Sequence, residues 1–295
     1  MKIIAVVVTY NRLEFLKKNI RCLRMNKPLT SIVVVNNGST DGTLQWLDTQ
    51  SDLHVITQKN LGGSGGFYVG MKYAISNNAD YVWCMDDDVY PRENCLEQLL
   101  LAATNSSIGI LAPRRMIGNK IYTNDFQKYN LTNPFVGLRG KKLRNQKINH
   151  ITDIVGTAFE GPLISRNVIR LVGLPNKDFF IFCDDTDYCL RTVLTGYRIL
   201  YIPSALMDKE PFFSSCDRLT KERRKKWKRF YHVRNRAYLN HHYGKNIFVK
   251  YMRSFYSVIG QILIALFSSV YDISDVQRFW KAYSDGVKER LGIFE

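Results

Sequence analysis

Acidic residues are scarce in this 295-residue sequence: 26 Asp and Glu stand against 42 Lys and Arg, a formal charge of +16. Such a surplus suggests phosphate-rich partners, meaning nucleotides, nucleic acid or an anionic membrane surface. Paired cysteines are missing too. Cys22, Cys84, Cys95, Cys183, Cys189 and Cys216 are scattered, with no C-x-x-C pair and no histidine at zinc spacing, so a reduced, cytoplasmic protein is expected. The first residues carry no basic segment, apolar core and small-residue cleavage site, so no leader is expected. Two named phosphate-binding signatures are also absent. No G-x-x-x-x-G-K-[ST] occurs, and the glycines around residue 65 miss G-x-G-x-x-G because Tyr68 stands where the last should be.

What is present reads first as alternating strands and helices. Ile3 to Val8 is a continuous apolar run, as expected for a central parallel strand covered on both faces. Thr9-Tyr10-Asn11-Arg12 ends it, and Leu13, Leu16, Ile20 and Leu23 follow at helical spacing. Ser31 to Val35 predicts a second strand, closed by the turn-forming Asn36-Asn37-Gly38-Ser39-Thr40-Asp41-Gly42. Leu44, Trp46 and Leu47 suit a short helix, and Leu53 to Thr57 a third strand. The run Asn60-Leu61-Gly62-Gly63-Ser64-Gly65-Gly66 then leads into a helix carrying Phe67, Val69, Met71, Ala74 and Ile75. Tyr81 to Met85 is the fourth strand. This pattern is α/β, a doubly wound, mostly parallel sheet whose strand-end loops share one rim.

The fourth strand delivers three carboxylates at once, Asp86-Asp87-Asp88. Unneutralised, they would repel one another, and the cheapest neutraliser is a hard divalent cation that in turn holds phosphates. An isolated Asp triplet is more often a solvated acidic turn. Glycines at 62, 63, 65 and 66 let a backbone approach a ligand, and the helix start behind them favours negative charge; they also serve simply to make the turn. Together the two features point to a nucleotide site of neither the Walker nor the dinucleotide type.

Val7-Val8-Thr9-Tyr10-Asn11-Arg12, Asn37-Gly38-Ser39-Thr40-Asp41-Gly42, the Asn60 glycine loop and Asp86-Asp87-Asp88 occur in an order and spacing that resembles a known family. It is the inverting nucleotide-sugar glycosyltransferases of the GT-A fold, glycosyltransferase family 2. The pattern is most like that of the galactofuranosyltransferases, with rhamnosyltransferases as relatives of looser glycine loop. The resemblance covers roughly residues 1–245. It continues in Phe159-Glu160-Gly161-Pro162 and in Asp184-Asp185-Thr186-Asp187. It implies that Asp86 and Asp88 hold Mn²⁺ or Mg²⁺, with Asp87 nearer the sugar. Thr9, Tyr10, Asn11, Arg12, Asn37, Asn60, Gly62, Gly63, Asp86 and Asp87 would line the UDP-sugar pocket. Glu160, Gly161 and Asp184 would face the acceptor, and Asp185 would be the general base, although three aspartates here also suit a helix N-terminus. In one place the chain departs from the pattern: the family's metal-binding His is here Asp208, so that the ligand role is kept by a harder carboxylate, moved to nearby Glu210, or lost. Asn36-Asn37 replaces a common Asp, which changes the contact to the base.

The expected organisation is a GT-A domain over 1–212, with a nucleotide-sugar half (1–115) and an acceptor half (116–212), followed by a basic helical region over 213–295. Thr123 to His150 reads as a long polar loop with Lys141, Lys142, Arg144 and Lys147. From Arg218 to Arg253 there are thirteen Lys and Arg and one acid, Glu222. Residues 254–271 carry no charge. They suit a helix lying on a membrane, an oligomer or core helix, or a span. The expected activity is transfer of galactofuranose from UDP-galactofuranose to a glycan or polyprenyl-linked acceptor, with the protein peripheral on the inner face of the membrane. The alternatives are rhamnosyl transfer from dTDP-rhamnose and a non-catalytic basic protein binding membrane or nucleic acid. No nucleic-acid fold signature supports the last. A homo-oligomer is left open.

Overall fold

The computed structural model describes residues 1–144, 148–211 and 217–294. Lys147, Cys216 and the expected boundary after residue 212 lie outside the described residues. The chain divides into two compact units: Met1–Lys128, Lys141–Lys177 and Asp185–Glu210 form the first, and Tyr129–Gly140, Asp178–Asp184 and Pro211–Glu295 the second.

From the N-terminus, β1 (Ile3–Thr9), α1 (Leu13–Arg24), β2 (Ser31–Asn36), α2 (Thr43–Leu47), β3 (Leu53–Thr57), α3 (Gly62–Ser76) and β4 (Tyr81–Asp86) alternate as the sequence predicts. Then come β5 (Val89–Pro91), α4 (Cys95–Leu101), β6 (Ile108–Ile117), β7 (Lys120–Tyr122), β8 (Phe126–Tyr129), β9 (Arg139–Lys142), β10 (Thr152–Ile154), β11 (Leu163–Ser165), α5 (Arg166–Val172), α6 (Asp184–Leu194) and β12 (Arg198–Lys209). The expected loop from Thr123 to His150 therefore contains two strands, β8 and β9, paired with each other.

The main sheet runs in the order β10-β12-β6-β11-β4-β1-β2-β3, with β5 on β12 and β7 on β6. β1 pairs parallel with both β2 and β4, so its backbone groups are used on both sides. Its side chains alternate between two cores. Ile3, Ala5 and Val7 pack with Leu16, Ile20 and Leu23 of α1, and Ile4, Val6 and Val8 pack with Phe67, Met71 and Ala74 of α3. Burial on both faces is why this strand reads as an unbroken apolar run. β11, three residues long, is inserted antiparallel between β4 and β6. It thereby brings Glu160 and Gly161, just upstream, beside the tip of β4.

α3 lies close on the sheet because of glycine. A Cβ on Gly70 would stand 2.2 Å from Val6 Cγ1, and one on Gly66 2.5 Å from Val8 Cγ1. Gly65 would meet Leu61 Cβ at 2.5 Å, whereas nothing lies within 4 Å of the position at Gly63. Two of the four loop glycines expected to face a ligand thus serve packing. Gly62 supplies the left-handed turn into the helix (φ +73°).

The second unit contains α7 (Arg218–Tyr243), α8 (Arg253–Leu266) and α9 (Ile273–Val287), packed through Phe230, Val233, Val258, Ile262, Ala265, Phe279 and Ala282. The uncharged stretch 254–271 divides between interior and solvent: Val258, Ile262 and Ala265 are buried, whereas Leu263, Ile264, Leu266 and Phe267 are exposed, the last at 90%. No helix among the described residues is long and apolar enough to cross a membrane.

Candidate active site at the tip of the fourth strand

β1 and β4 end side by side, with Val8 opposite Asp86, so Thr9 and Arg12 face the carboxylates that follow β4. Thr9 Oγ1 donates to Asp87 Oδ2 at 2.7 Å, and Arg12 Nη1 reaches Asp87 Oδ1 at 3.2 Å and Asp88 Oδ2 at 3.1 Å. The other Asp88 oxygen accepts from Lys209 Nζ at 3.1 Å, and the same ammonium lies 2.9 Å from Glu160 Oε1. Glu160 Oε2 holds Arg115 at 3.0 Å, and Arg115 holds Asp125 at 2.6 Å. Carboxylates and cations therefore alternate without a break from Asp87 at the rim to Asp125 inside the fold.

Burial raises the Asp87 pKa to about 6 against the opposing pull of Arg12 and Thr9. Burial and then the charge of Asp88 push Asp86 well above the usual carboxylate range. For Lys209 burial alone would favour the neutral amine, but Glu160 and Asp88 outweigh it and raise its pKa, keeping the ammonium charged.

The remaining residues expected in the donor pocket form the rim around this tip. Asn11, in the left-handed region (φ 52°), accepts from Thr40 N through Oδ1 at 2.7 Å, and Asp41 accepts from Leu13 N at 3.0 Å, so the loop after β2 is tied to the loop after β1. Tyr10 is exposed. Asn60 Oδ1 accepts from Gly62 N at 2.9 Å. Asn37 is buried, with both ends of its amide occupied: Nδ2 donates to Gly62 O at 3.0 Å and Oδ1 accepts from Gln58 at 2.6 Å. It pins the glycine loop.

Three expectations change on this geometry. Asp208 does not join Asp86 and Asp88; it pairs with Arg92 at 2.8 and 3.1 Å on an exposed surface. Glu210, the neighbouring substitute, pairs with Lys18 at 2.8 Å. The physical reason is strand alternation: Ala205, Met207 and Lys209 form the buried row of β12, so Asp208 points the other way. Glu160 spends both oxygens on cations rather than facing outward. Gly161 (φ +99°) is held in the sheet, its N–H donating to Cys84 O at 2.8 Å and its carbonyl accepting from Trp83 Nε1 at 2.8 Å. Lys209, Arg115 and Asp125 were not singled out from sequence. The alternation Ala205, Met207, Lys209 was the available signal for the first.

Asp185 is the second residue of α6, half-buried, with Oδ1 accepting from Thr186 N at 2.5 Å and Thr186 Oγ1 at 3.0 Å. Asp184 is buried, and Asp187 pairs with Arg191 at 2.9 Å. Within the second unit, the segment leading to Asp184 has Phe180, Phe182 and Cys183 at φ 65–69°, a conformation that non-glycine residues rarely hold. The carbonyls there are bound by α7: Asn235 Nδ2 donates to Phe179 O, Ile181 O and Phe182 O at 2.8–3.1 Å, and Arg234 Nη2 donates to Phe179 O at 3.1 Å. These two residues sit in a basic run that the sequence presents as surface charge, yet both are buried.

A divalent cation finds two carboxylates of suitable chemistry at the tip, Asp86 and Asp88. Asp86 makes no ion pair among the described residues, and it stands two residues from Asp88 in the chain. No group of three His, Cys, Asp or Glu side chains is gathered for a metal among the described residues. The donor set fits a hard cation as a seat of two carboxylates, provided Lys209 gives up Asp88.

The Glycosyl transferase family 2 model matches residues 4–160, more than half of the chain and the span that holds β1, the glycine loop, the Asp triplet and Glu160. The chain belongs to glycosyl transferase family 2. It is 29% identical over 201 residues to the galactofuranosyltransferase GlfT1 of Mycobacterium tuberculosis, covering 66% of this chain and 65% of that protein. It is 26% identical to the dTDP-rhamnosyl transferase RfbF of Shigella flexneri, over 70% of this chain and 68% of that one. The chain thus spans about two thirds of the length of these curated relatives. Among solved structures it resembles GalNAc-T7 with UDP, GalNAc and Mn²⁺ (TM-score 0.64, 13% identity, 98% of this chain and 56% of that one). It also resembles S. aureus TarS 1-349 in complex with UDP-GlcNAc (TM-score 0.59, 15% identity, 98% and 82%). These likenesses identify the GT-A fold, a mixed sheet of mostly parallel strands with helices.

Proposed function

We propose that the chain is an inverting glycosyltransferase that moves galactofuranose from UDP-galactofuranose to a glycan or lipid-linked acceptor in cell-surface polysaccharide synthesis. The observation that carries this is the Thr9–Asp87–Arg12–Asp88 cluster where β1 and β4 end, in a family 2 domain related to galactofuranosyltransferases. Arg12 meets the negative charge of the donor diphosphate, and the open face of Gly63 admits the sugar-phosphate close to the backbone. Asp86 and Asp88 hold Mn²⁺ or Mg²⁺, which when bound supplies a Lewis acid for the departing diphosphate. Asp185 accepts the acceptor hydroxyl proton as that oxygen attacks the anomeric carbon from the face opposite the nucleotide. The bond from the anomeric carbon to the phosphate oxygen breaks, the configuration inverts, and the proton rests on Asp185. A placed carboxylate base contributes about 10²–10⁴-fold.

Rhamnosyl transfer from dTDP-rhamnose is the second reading, supported by the similarity to the Shigella enzyme. The exposed Leu263, Ile264, Leu266 and Phe267, with the basic α7 in the same unit, favour contact with an anionic membrane, where a lipid-linked acceptor would lie. Flotation with anionic vesicles tests that contact, and failure to float would remove it. The activity test offers UDP-galactofuranose, UDP-galactopyranose, UDP-glucose and dTDP-rhamnose with Mn²⁺ or Mg²⁺ to the wild type, Asp88→Ala and Asp185→Asn. Turnover of one donor, lost in both variants, supports the reading; no binding of any donor overturns it.

A further inference from the structure

We propose that Lys209 is the built-in counter-ion of the strand tip, and that a divalent cation enters only by taking Asp88 away from it. The proposal rests on the donor-site reading above and adds a residue that the family motifs do not supply. The Lys209 side chain is 1% exposed, and its Nζ stands between Asp88 Oδ1 at 3.1 Å and Glu160 Oε1 at 2.9 Å. Arg12 holds the other Asp88 oxygen. Both oxygens of the central carboxylate are therefore already matched to cations, and the buried row of β12 aims the ammonium at the seat that the Asp86–Asp88 pair would offer a metal.

The two occupants oppose each other. Lys209 Nζ stands 3.1 Å from Asp88 Oδ1, so a cation taking that oxygen would meet the ammonium's like charge in a poorly solvated place. The exchange has somewhere to go. Glu160 keeps Arg115 on its second oxygen at 3.0 Å, so it remains partnered whether or not Lys209 moves. Lys209 keeps Glu160 when it releases Asp88, and its four-carbon stem allows a short swing without moving β12. In the metal-free protein the ammonium and Arg12 together make the tip tolerable; when the metal arrives, Lys209 retires to Glu160.

The test uses the full chain with Mn²⁺ alone as probe, following free Mn²⁺ by electron paramagnetic resonance. Lys209→Met is expected to bind Mn²⁺ about ten-fold more tightly than the wild type or more, and Lys209→Arg to stay as weak as the wild type. Lys209→Met leaves Asp88 and Glu160 each with one cation. Should it not fold, Lys209→Met/Glu160→Gln removes one charge of each sign and carries the same expectation. Adding Asp88→Asn to either variant should abolish the gain, which locates the metal. A purely structural lysine would change stability and leave Mn²⁺ affinity alone; unchanged or weaker Mn²⁺ binding in a folded variant overturns the proposal. UDP binding, measured by calorimetry on the same samples, separates the two readings. Flat Mn²⁺ affinity with UDP still bound overturns the Lys209 proposal alone. Loss of UDP binding in the wild type overturns the transferase reading, while tighter Mn²⁺ binding in the variants would still uphold the exchange at Asp88.

Discussion

Replacing Arg115 by Met is the sharpest test of whether the buried charges act as one chain. The Arg115 side chain is 0% exposed, between Asp125 at 1% and Glu160 at 11%. Removing it breaks contacts of 2.6 and 3.0 Å. At about 1.5–3 kcal/mol for a charge-assisted bond, the two sum to about 3–6 kcal/mol, in line with the ~3–5 kcal/mol typical of breaking a buried ion pair. The loss is not shared equally. Glu160 retains Lys209 at 2.9 Å, whereas the second Asp125 oxygen already lacks a partner, so Asp125 is left as an uncompensated buried charge. Adding Asp125→Asn to Arg115→Met should therefore restore more than half of the lost stability, and adding Glu160→Gln should restore little. Urea unfolding followed by fluorescence of Trp83, which is fully buried in the same sheet, reads this out. With a slope of about 3 kcal/mol/M, the Arg115→Met midpoint should fall by about 1–2 M. A variant within about 1 kcal/mol of the wild type, or equal rescue by either second change, would refute the reasoning.

Gly63→Ala meets open space in the bare protein, so stability should hold or rise by about 0.5–1 kcal/mol from helix propensity, while donor KM rises if the sugar-phosphate lies against that face; thermal melts and donor titration measure the two separately. Asp208→Asn breaks only an exposed pair with Arg92, worth about 0–1 kcal/mol, and should leave Mn²⁺ affinity and turnover as in the wild type; a large loss of either would return Asp208 to the metal site. Burial of the ring and the charges of Arg236, Arg139 and Arg229 lower the His232 pKa to about 4. Its proton NMR titration should lie well below 6.5, and because the unfolded chain protonates first, the contribution of this group to stability should be present above about pH 6.5 and fade as pH falls towards 4.

The parts of the fold that were legible in sequence are those whose burial writes a pattern. β1 is apolar from Ile3 to Val8 because both faces are covered, and α1 carries its buried residues at helical spacing. β11 is not legible: three residues pressed between β4 and β6 leave too short a signal to separate from a loop. The glycines mislead for a different reason. Gly66 is required by Val8 and Gly63 by nothing within the protein, yet both are the same letter in the same loop. The resemblance puts a metal ligand at Asp208, but the buried row of β12 runs through Ala205, Met207 and Lys209, so the strand turns Lys209 inward and Asp208 away. Arg234 and Asn235 were hidden in a basic run because composition does not distinguish a solvated charge from one that binds backbone carbonyls.

On the proposed reading, the charge balance along the tip favours a divalent cation on Asp86 and Asp88, the two carboxylates suited to hold it among the described residues. Asp86, Asp87, Asp88, Glu160 and Asp125 face Arg12, Lys209 and Arg115, five carboxylates against three cations, a balance of 3 − 5 = −2 when all are ionised. Burial drives the upward shifts of Asp86 and Asp87, and the charge of Asp88 adds to it. A divalent ion cancels the imbalance, whereas a diphosphate arriving alone would add negative charge to a site already short of positive charge. Metal and nucleotide should therefore strengthen each other's binding, by equal factors because the coupling is reciprocal. Under the Lys209 proposal, the lysine sets the size of that coupling: it lowers the charge that the metal would otherwise cancel, so a cation gains most once the donor phosphates have added to the negative balance that remains.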